Sequence, residues 1–167
     1  MEKNKTVILS YARTPFGSFL GTLSKLSASY LGSFAIKGVV ERSDASSEDI
    51  DEVIMGNVLS AGVGQAPARQ AAIFAELKKS TNCMTINKVC GSGMKAVMLA
   101  DQSIKLNQSN FVVAGGMESM SNAPHYLKNS RLGTKLGDVR QIDGMVHDGL
   151  WDVYNQVHMG NHGESCS

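Results

Sequence analysis

Cys90 is the residue in this chain best placed to do covalent chemistry. The segment from Met84 to Ala100 reads Met-Thr-Ile-Asn-Lys-Val-Cys-Gly-Ser-Gly-Met-Lys-Ala-Val-Met-Leu-Ala. Thr85, Ile86 and Val89 are β-formers, and strong helix formers begin at Met94. The thiol is therefore expected where a strand runs out into a helix. There it would face unpaired N–H groups and the positive end of the helix dipole, and both favour the nucleophilic thiolate. Gly91 and Gly93 leave room for a substrate to approach the backbone, whose N–H groups can hold a developing oxyanion. The arrangement is the cysteine counterpart of a strand–turn–helix nucleophile elbow. Most cysteines are nonetheless small buried hydrophobes, and local sequence does not separate the two readings.

The other candidates are weaker. Cys83 precedes the same strand and reads as a packed thiol. Cys166 falls in a stretch without periodicity. The four histidines, His125, His147, His158 and His162, all follow Pro124, and a lone loop histidine is ordinarily solvated or hydrogen-bonded. Met117, Met120 and Met145 could line an apolar pocket, with core filling as the default. Glu118 follows Gly115-Gly116 at an expected strand end, where a structural hydrogen-bonding role outweighs acid chemistry. Gly91-Ser92-Gly93-Met94-Lys95 lacks the glycine-lysine-Ser/Thr ending of a phosphate-binding loop. No zinc-ligand spacing occurs, so no metal site is expected.

Strands alternating with helices must position Cys90. Thr6 to Ser10 predicts a short strand. A helix is expected from Ser27, a plausible N-cap, to Arg42, with Leu31, Phe34, Ala35 and Val39 at helical spacing. Val53 to Val58 predicts a second strand, and Pro67 suits the first turn of a helix through Leu77. The third strand carries Cys90 and its helix runs to about Leu106; Phe111 to Ala114 is a fourth strand. This order argues for an α/β fold with a mostly parallel sheet. The helix after Cys90 is apolar nearly all round, through Ala96, Val97, Met98, Leu99 and Ala100, so it is expected to lie between two layers. One of them, a second sheet, is missing from this chain. From Met120 onward periodicity is lost, and a structureless stretch from Ser121 to Ser167 is far longer than a loop within a compact domain should be.

The 167 residues suit one domain. Lys+Arg 16 against Asp+Glu 15 leaves a net charge of +1 with no basic stripe, which argues against nucleic acid. No apolar run approaches membrane-spanning length. Three cysteines, an odd count, favour free thiols in a reducing compartment. With a strand from Thr6, no room is left for a targeting segment, so the cytoplasm is the expected location; a trimmed mitochondrial chain would look the same.

Five segments in order along the chain resemble the thiolase family, the acetyl-CoA C-acetyltransferases. They are Ala12-Arg13-Thr14-Pro15-Phe16-Gly17, then Gly56-Asn57-Val58 with Gly64-Gln65-Ala66-Pro67-Ala68-Arg69-Gln70, and the nucleophile segment Asn87 to Ala96. Val113 to Ser121 follows, and then Asp148-Gly149-Leu150 with His158-Met159-Gly160. The wording around Cys90 and His158 is similar to the biosynthetic, short-chain branch. After Gly160 the chain departs from the family's usual wording, although Glu164 keeps its expected place.

The resemblance implies a thiolase fold, here an incomplete amino-terminal α/β core over residues 1–120. Residues 121–167 would begin an inserted substrate-binding loop domain. It implies condensation of two acetyl-CoA molecules to acetoacetyl-CoA, or the reverse thiolysis, with Cys90 as the catalytic acyl acceptor. Leu150, His158 and Met159 would line the pantetheine and acyl group. No cofactor is implied beyond the coenzyme A thioester substrates, and the whole protein would be a homodimer or homotetramer. The activating histidine and second cysteine come from the family's carboxy-terminal half and map to no residue here; Cys166 matches no such motif. The competing expectations are a non-catalytic thiolase-fold fragment acting as an interaction module, and a cysteine hydrolase pairing Cys90 with His125.

Overall fold

The computed structural model describes residues 5–166. Its centre is the strand β1, Glu52–Gly56, where Val53, Ile54 and Met55 are all buried. An apolar run buried on both faces belongs in the middle of a parallel sheet. β2 (Asn82–Ile86) and β3 (Val112–Gly116) flank it in the order β2-β1-β3, both parallel to it. The register pairs Gly56 with Ile86 on one side and with Gly116 on the other, so the three carboxyl ends are level.

Alternation along β1 separates the two layers. Val53 and Met55 join Ala28, Ile36, Ala68, Ala71 and Ala72 in a core under the helices α1 (Ala28–Glu41) and α2 (Pro67–Phe74). Ile54 points the other way, onto Ala96 and Ala100 of α3 (Ser92–Lys105). The larger side chains, Val53, Ile54, Met55 and Ile36, each contribute on the order of 1.5–3 kcal/mol by leaving water.

Most predicted elements are present within a few residues. Ser27 does cap α1, accepting from the Tyr30 N–H, and Pro67 opens α2. The buried face of α1 differs from the predicted stripe. Phe34 is exposed, and Ala28, Ser29, Gly32, Ser33 and Ile36 are buried instead. The reason is the close approach of α1 to α2: a Cβ on Gly32 would lie 3.3 Å from that of Ala71. Small residues therefore face inward, and bulky ones are turned out.

Thr6 to Ser10 is not a strand. The segment is irregular, with Val7, Ile8 and Leu9 exposed. β-Propensity expresses packing against neighbours, and this segment is hydrogen-bonded into none of the sheets. Met1–Asn4, the rest of the amino-terminal stretch, lies outside the described residues. The helix α3 rests on the sheet through Ser92, Ala96, Ala100 and Ser103, while Met94, Val97 and Met98 are exposed. Among the described residues only that one side is covered, although the apolar circumference predicts a helix lying between two layers.

The stretch after Met120 is structured in short pieces, contrary to expectation. β4 (His125–Leu127) pairs antiparallel with β5 (Gln141–Asp143), and a π-helical turn, Val146–Leu150, leads to a second ribbon. That ribbon is β6 (Trp151–Asp152) with β7 (Val157–His158), followed by α4 (Met159–Ser165). Strands of two or three residues are too brief to show a period. No helix is long and apolar enough to cross a membrane among the described residues.

Asp51 ties the amino ends of the sheet together. Its Oδ2 accepts from the N–H groups of Asn110 at 2.7 Å and Phe111 at 3.1 Å, and its own N–H donates to the Phe111 carbonyl. The Asn110 bond foremost, with that of Phe111, holds the Asp51 carboxyl below its ordinary value. A lowered carboxyl stabilises the fold above its unfolded pKa, and that stability is lost as pH falls through the folded value. Asp51→Asn is expected to cost about 1 kcal/mol at neutral pH. Urea titrations should show the difference closing as pH falls below about 4, near the unfolded carboxyl value.

Candidate active site

The strand β2 ends at Ile86, four residues before Cys90, so the thiol is carried by a turn and not by the strand. Asn87 to Gly91 make that turn. Val89 adopts φ +47°, a left-handed conformation that a β-branched residue resists. The N–H groups of Gly91 and Ser92 close onto the carbonyls of Lys88 and Val89 at 3.0 and 3.1 Å. Cys90 is exposed, one residue ahead of Gly91, the N-cap of α3. Gly91 brings no capping side chain, so the next N–H groups, those of Gly93 and Met94, are the orphans every helix start leaves.

Glycines set this helix start directly on the sheet. A Cβ on Gly56 would meet the Cβ of Ser92 at 2.6 Å and its carbonyl carbon at 2.8 Å. One on Gly116 would lie 3.5 Å from the Gly93 Cα. The thiol therefore stands above the carboxyl ends of β1 and β3, where open α/β sheets bind ligands.

Cys90 lines a cleft of about 870 Å³. Pro15 and Phe16 of the amino-terminal loop form part of the wall, as do Val58, Glu118, Met120 and Met145. Arg13 stacks its guanidinium on Phe16, 4.7 Å from the ring centroid. The methionines expected as core filler instead face the cleft at Met120 and Met145, and Met117 does both, being buried in the core while touching the cleft.

Glu118 braces the loop after β1. Its Oε2 accepts from the Val58 N–H at 2.8 Å; its Oε1 accepts from Asn57 Nδ2 at 2.8 Å and from the Leu59 N–H at 3.2 Å. Burial pushes this carboxyl up from its ordinary value, against the lowering by these hydrogen bonds. With both oxygens engaged, it serves as the structural acceptor expected from its position.

The remaining candidates lie elsewhere. Cys83 packs against the core below α2, and burial pushes its thiol up. Leu150 ends the π-helical turn, His158 sits in β7 opposite Trp151, and Met159 begins α4. None of the three is among the residues lining the cleft. His158 Nδ1 accepts from the Gly160 N–H at 3.1 Å. His147 Nε2 meets Lys128 Nζ, and His162 Nε2 meets Asp152 Oδ2, each at 2.8 Å. His125 is on β4 and also does not line the cleft, which leaves the hydrolase pairing without geometric support. Cys166 is exposed after α4. The left-handed Val89 and the role of Gly56 were missed from residue types; Gly56 entered only through its place in a motif.

An exposed thiol on a turn at the mouth of a helix, lining a cleft with apolar walls, is placed where covalent chemistry on a bound ligand can occur. The family of thiolase N-terminal domains matches residues 6–167, and the chain belongs to the thiolases. It is 53% identical over 167 residues to acetyl-CoA acetyltransferase 1 of Arabidopsis thaliana, covering all of this chain and 40% of that protein. Over 164 residues it is 57% identical to the mitochondrial acetyl-CoA acetyltransferase A of Xenopus laevis, covering 98% of this chain and 39% of that one. The Acat5 thiolase of Ascaris suum, solved in complex with coenzyme A, superposes with a TM-score of 0.90 at 46% identity, covering 95% of this chain and 41% of that chain. The chain thus spans about two fifths of the length of these relatives.

Gly56→Ala should push α3 off the sheet, because the new methyl meets backbone atoms of Ser92 and Gly93 below 3.0 Å. An overpacking cost of about 1–3 kcal/mol is expected. Chemical denaturation measures it, and a stability equal to wild type would contradict the packing described.

Proposed function

We propose that this chain is the nucleophile-bearing part of an acetyl-CoA C-acetyltransferase. The observation that carries the reading is the exposed Cys90 at the mouth of α3, within the cleft. The Cys90 sulfur attacks the carbonyl carbon of acetyl-CoA, the coenzyme A thiolate leaves and takes up a proton, and an acetyl thioester on Cys90 remains. A base then removes a proton from the methyl of a second acetyl-CoA. The carbanion attacks the acetyl carbonyl, the Cys90 sulfur departs as thiolate, and acetoacetyl-CoA is released. Splitting one difficult carbon–carbon bond formation into two steps is the gain from the covalent intermediate. The Cys90 N–H is the proposed oxyanion donor during acyl transfer.

The base and the histidine that activates the thiol belong, in this reading, to the part of the enzyme that the family builds after the loop domain. The ribbon and helix carrying Leu150, His158 and Met159 supply contacts to the pantetheine arm, supported by their match to the family wording. Residues 121–167 are the beginning of the substrate-binding loop domain. Coenzyme A thioesters are the substrates, with no resident cofactor, and the whole enzyme is a homodimer or homotetramer. Cytoplasmic location is proposed; relatives include a cytosolic form in Gibberella zeae and mitochondrial forms in Xenopus laevis and Bos taurus.

Incubating the intact enzyme with acetyl-CoA should place one acetyl group on the Cys90 peptide, read by mass spectrometry. An acetyl group elsewhere, or none, overturns the assignment. Residues 1–167 alone should show no condensation above a Cys90→Ala background.

A further inference from the structure

The Cys90 turn holds its unfavourable conformation through side chains that the acyl-transfer chemistry does not use. Val89 is left-handed at φ +47°, a strain that persists only where the surroundings over-determine it. Three polar groups around it are tied by side chains. Ser92 Oγ accepts from the Lys88 N–H at 2.8 Å and donates to the Val89 carbonyl at 2.6 Å. Asn87 Oδ1 accepts from the Val89 N–H at 2.8 Å. Ser92 is itself only 5% exposed and wedged over Gly56, so its hydroxyl has little freedom to turn away.

We propose that Ser92 is the positioning residue of the nucleophile: its hydroxyl clamps both sides of Val89, holds that residue left-handed, and so presents the Cys90 sulfur to the cleft. Asn87 completes the clamp from the strand side. The inference rests on Cys90 being the acyl-accepting thiol. An alanine at position 92 would fill the same space over Gly56 but leave the Lys88 N–H without its acceptor. The turn would then relax toward a right-handed Val89 and withdraw the sulfur.

The test is alkylation of the full-length protein by iodoacetamide, in which a cysteine sulfur displaces iodide, with each cysteine peptide quantified. Exposed Cys166 is the internal reference, and half-buried Cys83 reports unfolding. Ser92→Ala should slow Cys90 about tenfold relative to Cys166, the factor that one lost hydrogen bond of this kind supplies. Glycine adopts a positive φ freely, so in a Val89→Gly background the same substitution should slow Cys90 less than about threefold. A merely structural serine would cost the same in both backgrounds. An unchanged Cys90 rate in Ser92→Ala, or an equal loss in both backgrounds, overturns the proposal.

Should Ser92→Ala expose Cys83, Asn87→Ala takes its place, since Asn87 lies on the surface. It should slow Cys90 about threefold, and a wild-type rate there overturns the proposal equally. With acetyl-CoA, Ser92→Ala should lower the maximal rate of Cys90 acetylation and leave the half-saturating concentration within about twofold. A wild-type Cys90 that is never acetylated, with the alkylation differences intact, removes the acyl-transfer reading and keeps the clamp. Normal acetylation with no alkylation difference removes the clamp alone.

Discussion

The close contact between the start of α3 and the carboxyl ends of β1 and β3 is the constraint on which the rest of this structure depends. Backbone meets backbone there, because Gly56 and Gly116 carry no side chains to hold the helix away. The contact sets the height of the helix mouth above the sheet, and with it the location of Cys90. It also seats Ser92 directly over Gly56, where its hydroxyl reaches the turn. A helix start raised by the width of one methyl would still pack Ala96 and Ala100 on Ile54, but the thiol would no longer stand over the strand ends.

The two layers serve different ends. The face beneath α1 and α2 is built from small residues, among them Ala68, Ala71, Ala72 and Ser33, with Gly32 set close against Ala71. The face beneath α3 has a smaller core of Ile54, Ala96 and Ala100. Its outer side presents Met94, Val97 and Met98 to solvent. Loop residues complete the cleft from above. Glu118 fixes the loop after β1 with both carboxylate oxygens, so the wall beside Cys90 is braced by half-buried polar bonds as well as by packing.

The pattern of residue types carried much of this. Ser27 and Pro67 announced helix starts through their capping chemistry, and both are where those rules put them. The apolar run from Val53 announced a strand, which ends at Gly56 and not at the predicted Val58, and only the structure places it at the centre of the sheet. Cys90 between β-formers and glycines announced a thiol at a helix start, although the strand stops earlier than the β-formers imply. Thr6 to Ser10 carries the same signal as β1 without becoming a strand, since a ladder needs a neighbour that no local pattern reveals. The short ribbons after Met120 were invisible for a related reason: two or three residues show no period.

Sequence alone was enough for the class of fold, the identity of the candidate nucleophile and the family, because capping, burial periodicity and ordered motifs are local properties of the chain. It misplaced the buried face of α1, and it was silent on the left-handed Val89 and on the grip of Ser92 upon it. Those depend on distances between segments far apart in the chain: α1 against α2, and Gly56 against Ser92. Contacts across such separations are settled only when the layers close on one another, and they decide how the thiol is presented.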